Sequence, residues 1–183
     1  PKLTEAARQA INRTTEWART QASREMREQV NFPARYLTGS DGRLRIAKKA
    51  TNTNLEAAIV GRHRPTSLAR FSKDTDPGVV KRRGGARVAV KPGAAKFMKG
   101  TFLVRLRAGA TKTDTKHNLG LAIRLKPGES LRNKRTQGVR LANNVYLLYG
   151  PSVDQVFRDV SGDMTPDVIN YLQQEFDRLR LVK

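Results

Sequence analysis

The pattern at the N-terminus constrains the fold of this chain most. Leu3, Ala7, Ile11, Thr14, Ala18, Ala22, Met26 and Val30 recur at spacings of three or four, with Ala10 and Trp17 beside them. That period predicts one helix over residues 4–30. Thr4 is placed to cap its first turn, and Glu5 sits near the positive end of the helix dipole. Such a helix spans roughly 40 Å, more than a small domain needs. Its stripe is largely alanine, which permits close approach but buries modest area. Two placements fit it: across a sheet of its own chain, or partly against a neighbouring subunit.

The other end predicts a second helix, over 165–181. Thr165 offers an N-cap, Pro166 suits the first helical position and Asp167 the first turn. Val168, Leu172, Phe176 and Leu179 form its apolar stripe, flanked by Ile169, and Arg178, Arg180 and Lys183 favour its C-terminal end. Ser152 to Val160 reads as a separate helical turn with Val153, Val156 and Phe157 inward.

Between the helices the period changes to two. Arg43 to Ala47 alternates charged and apolar residues, and Leu55 to Val60 offers the return strand of a hairpin. Ala86, Val88 and Val90 alternate with Arg87, Ala89 and Lys91, before Pro92-Gly93. Phe102, Val104 and Leu106 alternate with Leu103, Arg105 and Arg107; Leu119, Leu121, Ile123 and Leu125 alternate with Gly120, Ala122, Arg124 and Lys126. One apolar face and one small or cationic face is the pattern of an antiparallel sheet with a wet side. Val145 to Tyr149 is a further short strand, closed by Gly150-Pro151. Residues 61–85 read as a long loop, with a turn at Ser67 to Phe71 and a basic, flexible tip at Lys81-Arg82-Arg83-Gly84-Gly85; 126–140 reads as a second cationic loop. The expectation is an α+β class. It takes the form of a single structural domain over 1–183, in which both helices pack on a largely antiparallel β-rich region at 43–149 that carries long basic loops.

Charge narrows the function. The formal net charge is +20, and residues 81–140 hold 17 basic and 2 acidic side chains. Residues 141–183 hold 4 and 6, so the tail is not a basic arm. An excess this regional points to a polyanionic or acidic partner. No run of about 18 apolar residues is present, so no membrane span is expected. The absence of cysteine excludes disulfides and cysteine-rich zinc sites.

Nothing in the motifs calls for catalysis, a metal or a cofactor. His63 and His117 lack metal-ligand spacing, and Asp154, Asp159 and Asp163 lack the spacing of a calcium loop. Gly84-Gly85 and Gly93 form no phosphate-binding loop, and Ser23, Ser67 and Ser152 sit in no nucleophile-elbow context. The candidate functional residues are therefore cations: Arg82, Arg83, Arg87, Arg105, Arg107, Arg124 and Lys126. If the strands are neighbours, five of these (Arg87, Arg105, Arg107, Arg124 and Lys126) line one surface facing a lumen, DNA or an acidic partner. Base stacking has weak support, since only Phe97 and Phe102 lie within 81–140.

The order of features resembles the minor tail protein Z family of long-tailed bacteriophages, also described as tail completion proteins. The cues are Ala10-Ile11-Asn12-Arg13 in the long helix, the Arg-rich segment beyond it and Leu119-Gly120-Leu121-Ala122-Ile123. Leu148-Tyr149-Gly150-Pro151-Ser152-Val153 and the closing helix Pro166 to Leu181 complete them. The resemblance implies a virion component without enzymatic activity at the head-proximal end of the tail, made in the host cytoplasm. It implies a homo-oligomeric ring, hexameric by preference, that joins the tail tube to the head connector. Tube, terminator or connector proteins would be its partners, with genomic DNA or the tape-measure protein in the lumen. On this view Tyr149-Gly150-Pro151-Ser152 makes the turn before the C-terminal helices, while the long N-terminal helix and the loops 61–85 and 107–118 reach neighbours. The alternative is a nucleic-acid-binding protein of ribosomal or architectural type.

Overall fold

A computed structural model describes residues 2–106, 119–133 and 136–181. The class is α+β, and the chain forms two compact units. A helical unit comprises Pro1–Gln29, Pro33–Arg64 and Ser152–Lys183; a sheet unit comprises Val30–Phe32 and Pro65–Pro151.

The helical unit contains α1 (Lys2–Gln29), α2 (Ala34–Thr38), the antiparallel hairpin β1 (Leu44–Lys48) and β2 (Ala58–Gly61), and α4 (Val153–Leu181). Helices α1 and α4 run antiparallel: Arg13 pairs with Glu175 at 3.5 Å, and Trp17 stacks on Tyr171 with centroids 4.4 Å apart and planes 3° from parallel. The buried seam of α1 is Ala6, Ala10, Thr14, Ala18, Ala22 and Met26, a ladder of fourth residues. It is offset from the expected stripe at its N-terminal end, where Leu3 is 65% exposed and Ala7 and Ile11 are half-buried. Small residues on the seam let two backbones approach, and the larger side chains move to the flanks. Asn12 holds the segment after β1 against α1, donating to Ala50 O at 3.0 Å and accepting from Ala50 N at 2.8 Å.

Helix α4 is one continuous helix that passes through Pro166, not a turn followed by a helix capped at Thr165. The cap lies at Ser152, whose hydroxyl accepts from Gln155 N at 3.1 Å while Gln155 Oε1 accepts from Ser152 N at 3.0 Å. This reciprocal pair is a capping box. A proline inside a helix costs about 3 kcal/mol. Val153, Val156, Val160 and Met164, buried upstream, and the Trp17–Tyr171 stack downstream hold the helix together on either side. The expected core stripe Val168, Leu172, Phe176 and Leu179 is only half-buried. Where α4 begins, Gly61 permits a close approach: a Cβ there would stand 2.8 Å from Asp154 Cα, and Asp154 N donates to Arg62 O at 3.1 Å.

The sheet unit contains β3 (Pro65–Ser67), a 3-10 turn at Leu68–Phe71, α3 (Pro77–Arg83), β4 (Gly85–Val88), β5 (Lys96–Lys99), β6 (Thr101–Arg105), β7 (Leu119–Arg124), β8 (Gln137–Arg140) and β9 (Val145–Ser152). Its main sheet has the order β3-β9-β7-β6 with β8 also on β9, and β4–β5 form a separate antiparallel hairpin. Strand β7 is central and covered on both faces, which explains its run of Leu119-Gly120-Leu121-Ala122. Leu121 and Ala122 point to opposite faces, and both are fully buried. Ala122, Val145 and Leu147 form the cluster on one face, with Phe102, Val104 and Tyr149 packed against it, so no wet face exists at the centre.

Helix α3 and strands β3 and β8 replace stretches expected as loops, and β5 stands where no element was expected. Helix α3 is capped by the Asp76 side chain, which accepts from Gly78 N at 2.8 Å; Pro77 opens it and Gly84 closes it at φ +76°. Asp-Pro before and Gly after are helix boundaries that the basic composition of 61–85 obscures. Strand β5 pairs with β4 across a loop containing Lys91-Pro92-Gly93-Ala94, where Ala94 N donates to Lys91 O and Gly93 has φ +71°. Strand β8 returns to β9 through Ala142-Asn143-Asn144, with both asparagines at positive φ, a conformation their short polar side chains tolerate. Residues 107–118, expected to reach neighbours, lie outside the described residues.

A candidate polyanion interface on the sheet unit

The charge excess divides unequally between the units. The sheet-unit segments contain 19 Lys and Arg against 4 Asp and Glu, a net +15; the helical-unit segments contain 17 against 12, a net +5. With β7 buried on both faces, those of these cations that lie among the described residues sit at strand ends, on the β4–β5 hairpin, in turns and at the end of α3.

The expected single row of cations is not formed. In the β6–β7 register Arg105 lies opposite Leu119, on the face of Leu103 and Leu121, whereas Arg124 lies opposite Val145, on the other face. Two strands of equal alternation can pair in either phase, and the pairing chosen here puts the cations on opposite sides. Arg87 belongs to the separate hairpin, opposite Phe97. Lys126 opens a tight turn, Lys126-Pro127-Gly128-Glu129, in which Glu129 N donates to Lys126 O and Gly128 has φ +80°. Arg107 lies outside the described residues.

Arg82 and Arg83 stand in the last turn of α3, where cations complement the helix dipole. Arg83 is engaged by Asp74, and its Nε donates to Gly85 O at 3.1 Å. Asp74 also accepts from Arg87 N at 3.1 Å and from the Ser72 hydroxyl at 3.3 Å. The Arg83 hydrogen bond, outweighing partial burial, holds this carboxyl below the usual carboxylate range. Arg82, Arg87, Arg105 and Arg124 are exposed and form no ion pair with a described carboxylate. Arg82 and Arg87 flank the α3–β4 junction.

Tyr149, Gly150, Pro151 and Ser152 do not form a turn. They are the second half of β9, and α4 begins at Val153. Gly150 is small for reasons of space: a Cβ would meet Leu68 at 3.1 Å and Phe71 at 3.3 Å. In the helical unit, His63 Nδ1 is 3.1 Å from Asp154 Oδ2, which Arg158 also contacts at 3.0 Å. The His63 side chain is 76% exposed, so this is a surface pair outside any enclosed site. His117 lies outside the described residues. Among the described residues no cluster of three or more His, Cys, Asp or Glu is placed to hold a metal ion, and no helix is long and apolar enough to cross a membrane. No protein-family model, curated protein or solved structure matches the chain.

Proposed function

We propose that this chain is a structural subunit of a tailed bacteriophage virion. It acts at the head-proximal end of the tail as a ring-forming completion or neck protein. The observation that carries the proposal is the segregation of charge, net +15 on the sheet unit. It joins the resemblance of the helix, strand and Tyr149-Gly150-Pro151-Ser152 phrases to the minor tail protein Z family. A surface so cationic is costly for a free subunit and is relieved when a polyanion or acidic neighbour approaches.

Leu3 in the first turn of α1 and Leu181 at the end of α4 are 65% and 75% exposed, and Ile169 is 57% exposed. Singly exposed apolar side chains are ordinary on a surface, so these become contacts only within the ring that the resemblance implies. A hexameric ring would place these contacts between copies, leaving the cations for tube, terminator or connector proteins, or for DNA or the tape-measure protein in the lumen.

Removal of the gene in the phage that encodes it tests the proposal. Unjoined heads and tails support it, as does a particle map with six copies at the head–tail junction. Normal particles in its absence would sink it.

A further inference from the structure

We infer that the outward face of the β4–β5 hairpin binds nucleic acid with unpaired bases, Phe97 being the stacking platform and Arg87 and Lys99 the phosphate contacts. The inference rests on the geometry of the hairpin and holds whatever assembly the chain belongs to. Strand register decides which side chains share the face. Gly85 pairs with Lys99 and Arg87 with Phe97, while Ala86 pairs with Met98 and Val88 with Lys96. Ala86 and Val88 are buried, so Arg87, Phe97 and Lys99 stand exposed on the opposite, outward side, which Gly85 shares as a buried position.

Phe97 is 49% exposed, and it is not a stray surface residue. Its ring lies over Gly85, where a Cβ would stand 2.4 Å from Met98 O and 2.8 Å from Phe97 Cζ, so the glycine accommodates both the facing backbone and the ring. A glycine under the ring gives it a flat seat on the hairpin. Arg87 N donates to Asp74, not to β5, so Arg87 and Phe97 form a non-hydrogen-bonded pair, the kind in which facing side chains come closest. Arg87 is therefore the cross-strand neighbour of Phe97, and Lys99 stands two residues along the same strand as the ring.

The surroundings add positive charge without neutralising it. Gly100 N donates to Gly84 O at 2.9 Å, which ties the end of β5 to the last turn of α3 with Lys81, Arg82 and Arg83. Asp74, the carboxylate bonded to β4, is already occupied by Arg83, Arg87 N and Ser72. Arg87, Lys96 and Lys99 are exposed and form no ion pair with a described carboxylate. An exposed ring between unpaired cations is the arrangement with which proteins hold single strands, stacking a base on the ring and tracking the backbone with charge. An acidic peptide or a simple polyanion would use the cations and leave the ring idle, so the ring is what distinguishes the occupants.

The test uses the full chain and fluorescence anisotropy with a labelled oligothymidylate. Inorganic polyphosphate, a polyglutamate peptide and a duplex of equal length serve as the other probes. Phe97→Ala and Phe97→Leu should each weaken oligothymidylate binding at least about fivefold, the lower bound for loss of one stacked base. Both should leave polyphosphate binding unchanged. Arg87→Gln should weaken all anionic probes and lower the salt slope for the oligonucleotide by about 0.7, the value for one single-strand phosphate. Far-UV circular dichroism matching the parent confirms that each variant is folded. Oligothymidylate binding unaffected in both Phe97 variants overturns the inference. So does equal loss on polyphosphate or polyglutamate, or duplex binding that is tighter and independent of Phe97.

Discussion

Replacing Gly61 by alanine tests how α4 is seated in the helical unit. The new Cβ would stand 2.8 Å from Asp154 Cα and 2.9 Å from Asp154 N, where ordinary contact begins at 3.4 Å. Both obstacles are backbone, so no side chain can rotate away. The first turn of α4 must retreat by about 0.6 Å, which stretches the 3.1 Å bond from Asp154 N to Arg62 O beyond hydrogen-bonding distance. Overpacking costs about 1–3 kcal/mol, and the lost bond about 1 kcal/mol. Reduced freedom of the unfolded chain returns about 0.4–1 kcal/mol. The expected net loss is about 2 kcal/mol, or roughly 1 M in urea midpoint for a slope near 2 kcal/mol/M. Trp17, the single tryptophan, sits on the α1–α4 seam and reports this unit directly by fluorescence. Gly162→Ala is the control, because nothing lies within 4 Å of its would-be Cβ inside α4. It should stabilise by about 0.5–1 kcal/mol. If both substitutions raise the midpoint, the close-approach account of Gly61 is wrong.

Two further predictions concern a cap and a carboxylate. Ser152→Ala removes the hydroxyl that accepts from Gln155 N and should lower the stability of the helical unit by about 1 kcal/mol, read from the same Trp17 urea transition. The Asp74 carboxyl has its pKa depressed in the folded state by Arg83 first. Its stabilisation is therefore present above the unfolded carboxylate pKa of about 3.9 and is lost as pH falls through the lower folded value. Asp74→Asn should loosen β4 at neutral pH, seen as faster hydrogen exchange at Arg87 N, and the difference from the parent should shrink at pH 3 and below. An exchange difference independent of pH would refute the electrostatic role.

How much of this was legible beforehand differs by element. The two terminal helices and the strands at 44–48, 101–105, 119–124 and 145–149 follow from periodicity, because each must bury one recurring set of side chains. Helix α3 reads as loop because its lysine and arginines resemble one by composition, although Asp76-Pro77 and Gly84 mark its boundaries. Strand β8 was hidden: Gln137 to Arg140 are all exposed, so burial imposes no alternation on them. Pro166 pointed to a helix start, but Ser152 and Gln155 cap the chain earlier and the packed seam carries the helix across.

The long N-terminal helix was fixed by spacing alone, as were the α+β class and the concentration of cations in the middle of the chain. Local propensity and charge do not depend on what a segment packs against. Which alanines face α4, which cations share a surface and which aromatic ring lies exposed were decided by tertiary structure. A helix can rotate its stripe by one residue, and a strand can pair in either phase, with little change in local energy. Only the packing of whole elements selects the phase. That choice sets Arg105 and Arg124 on opposite faces, and it leaves Phe97 beside Arg87 on the open side of a hairpin.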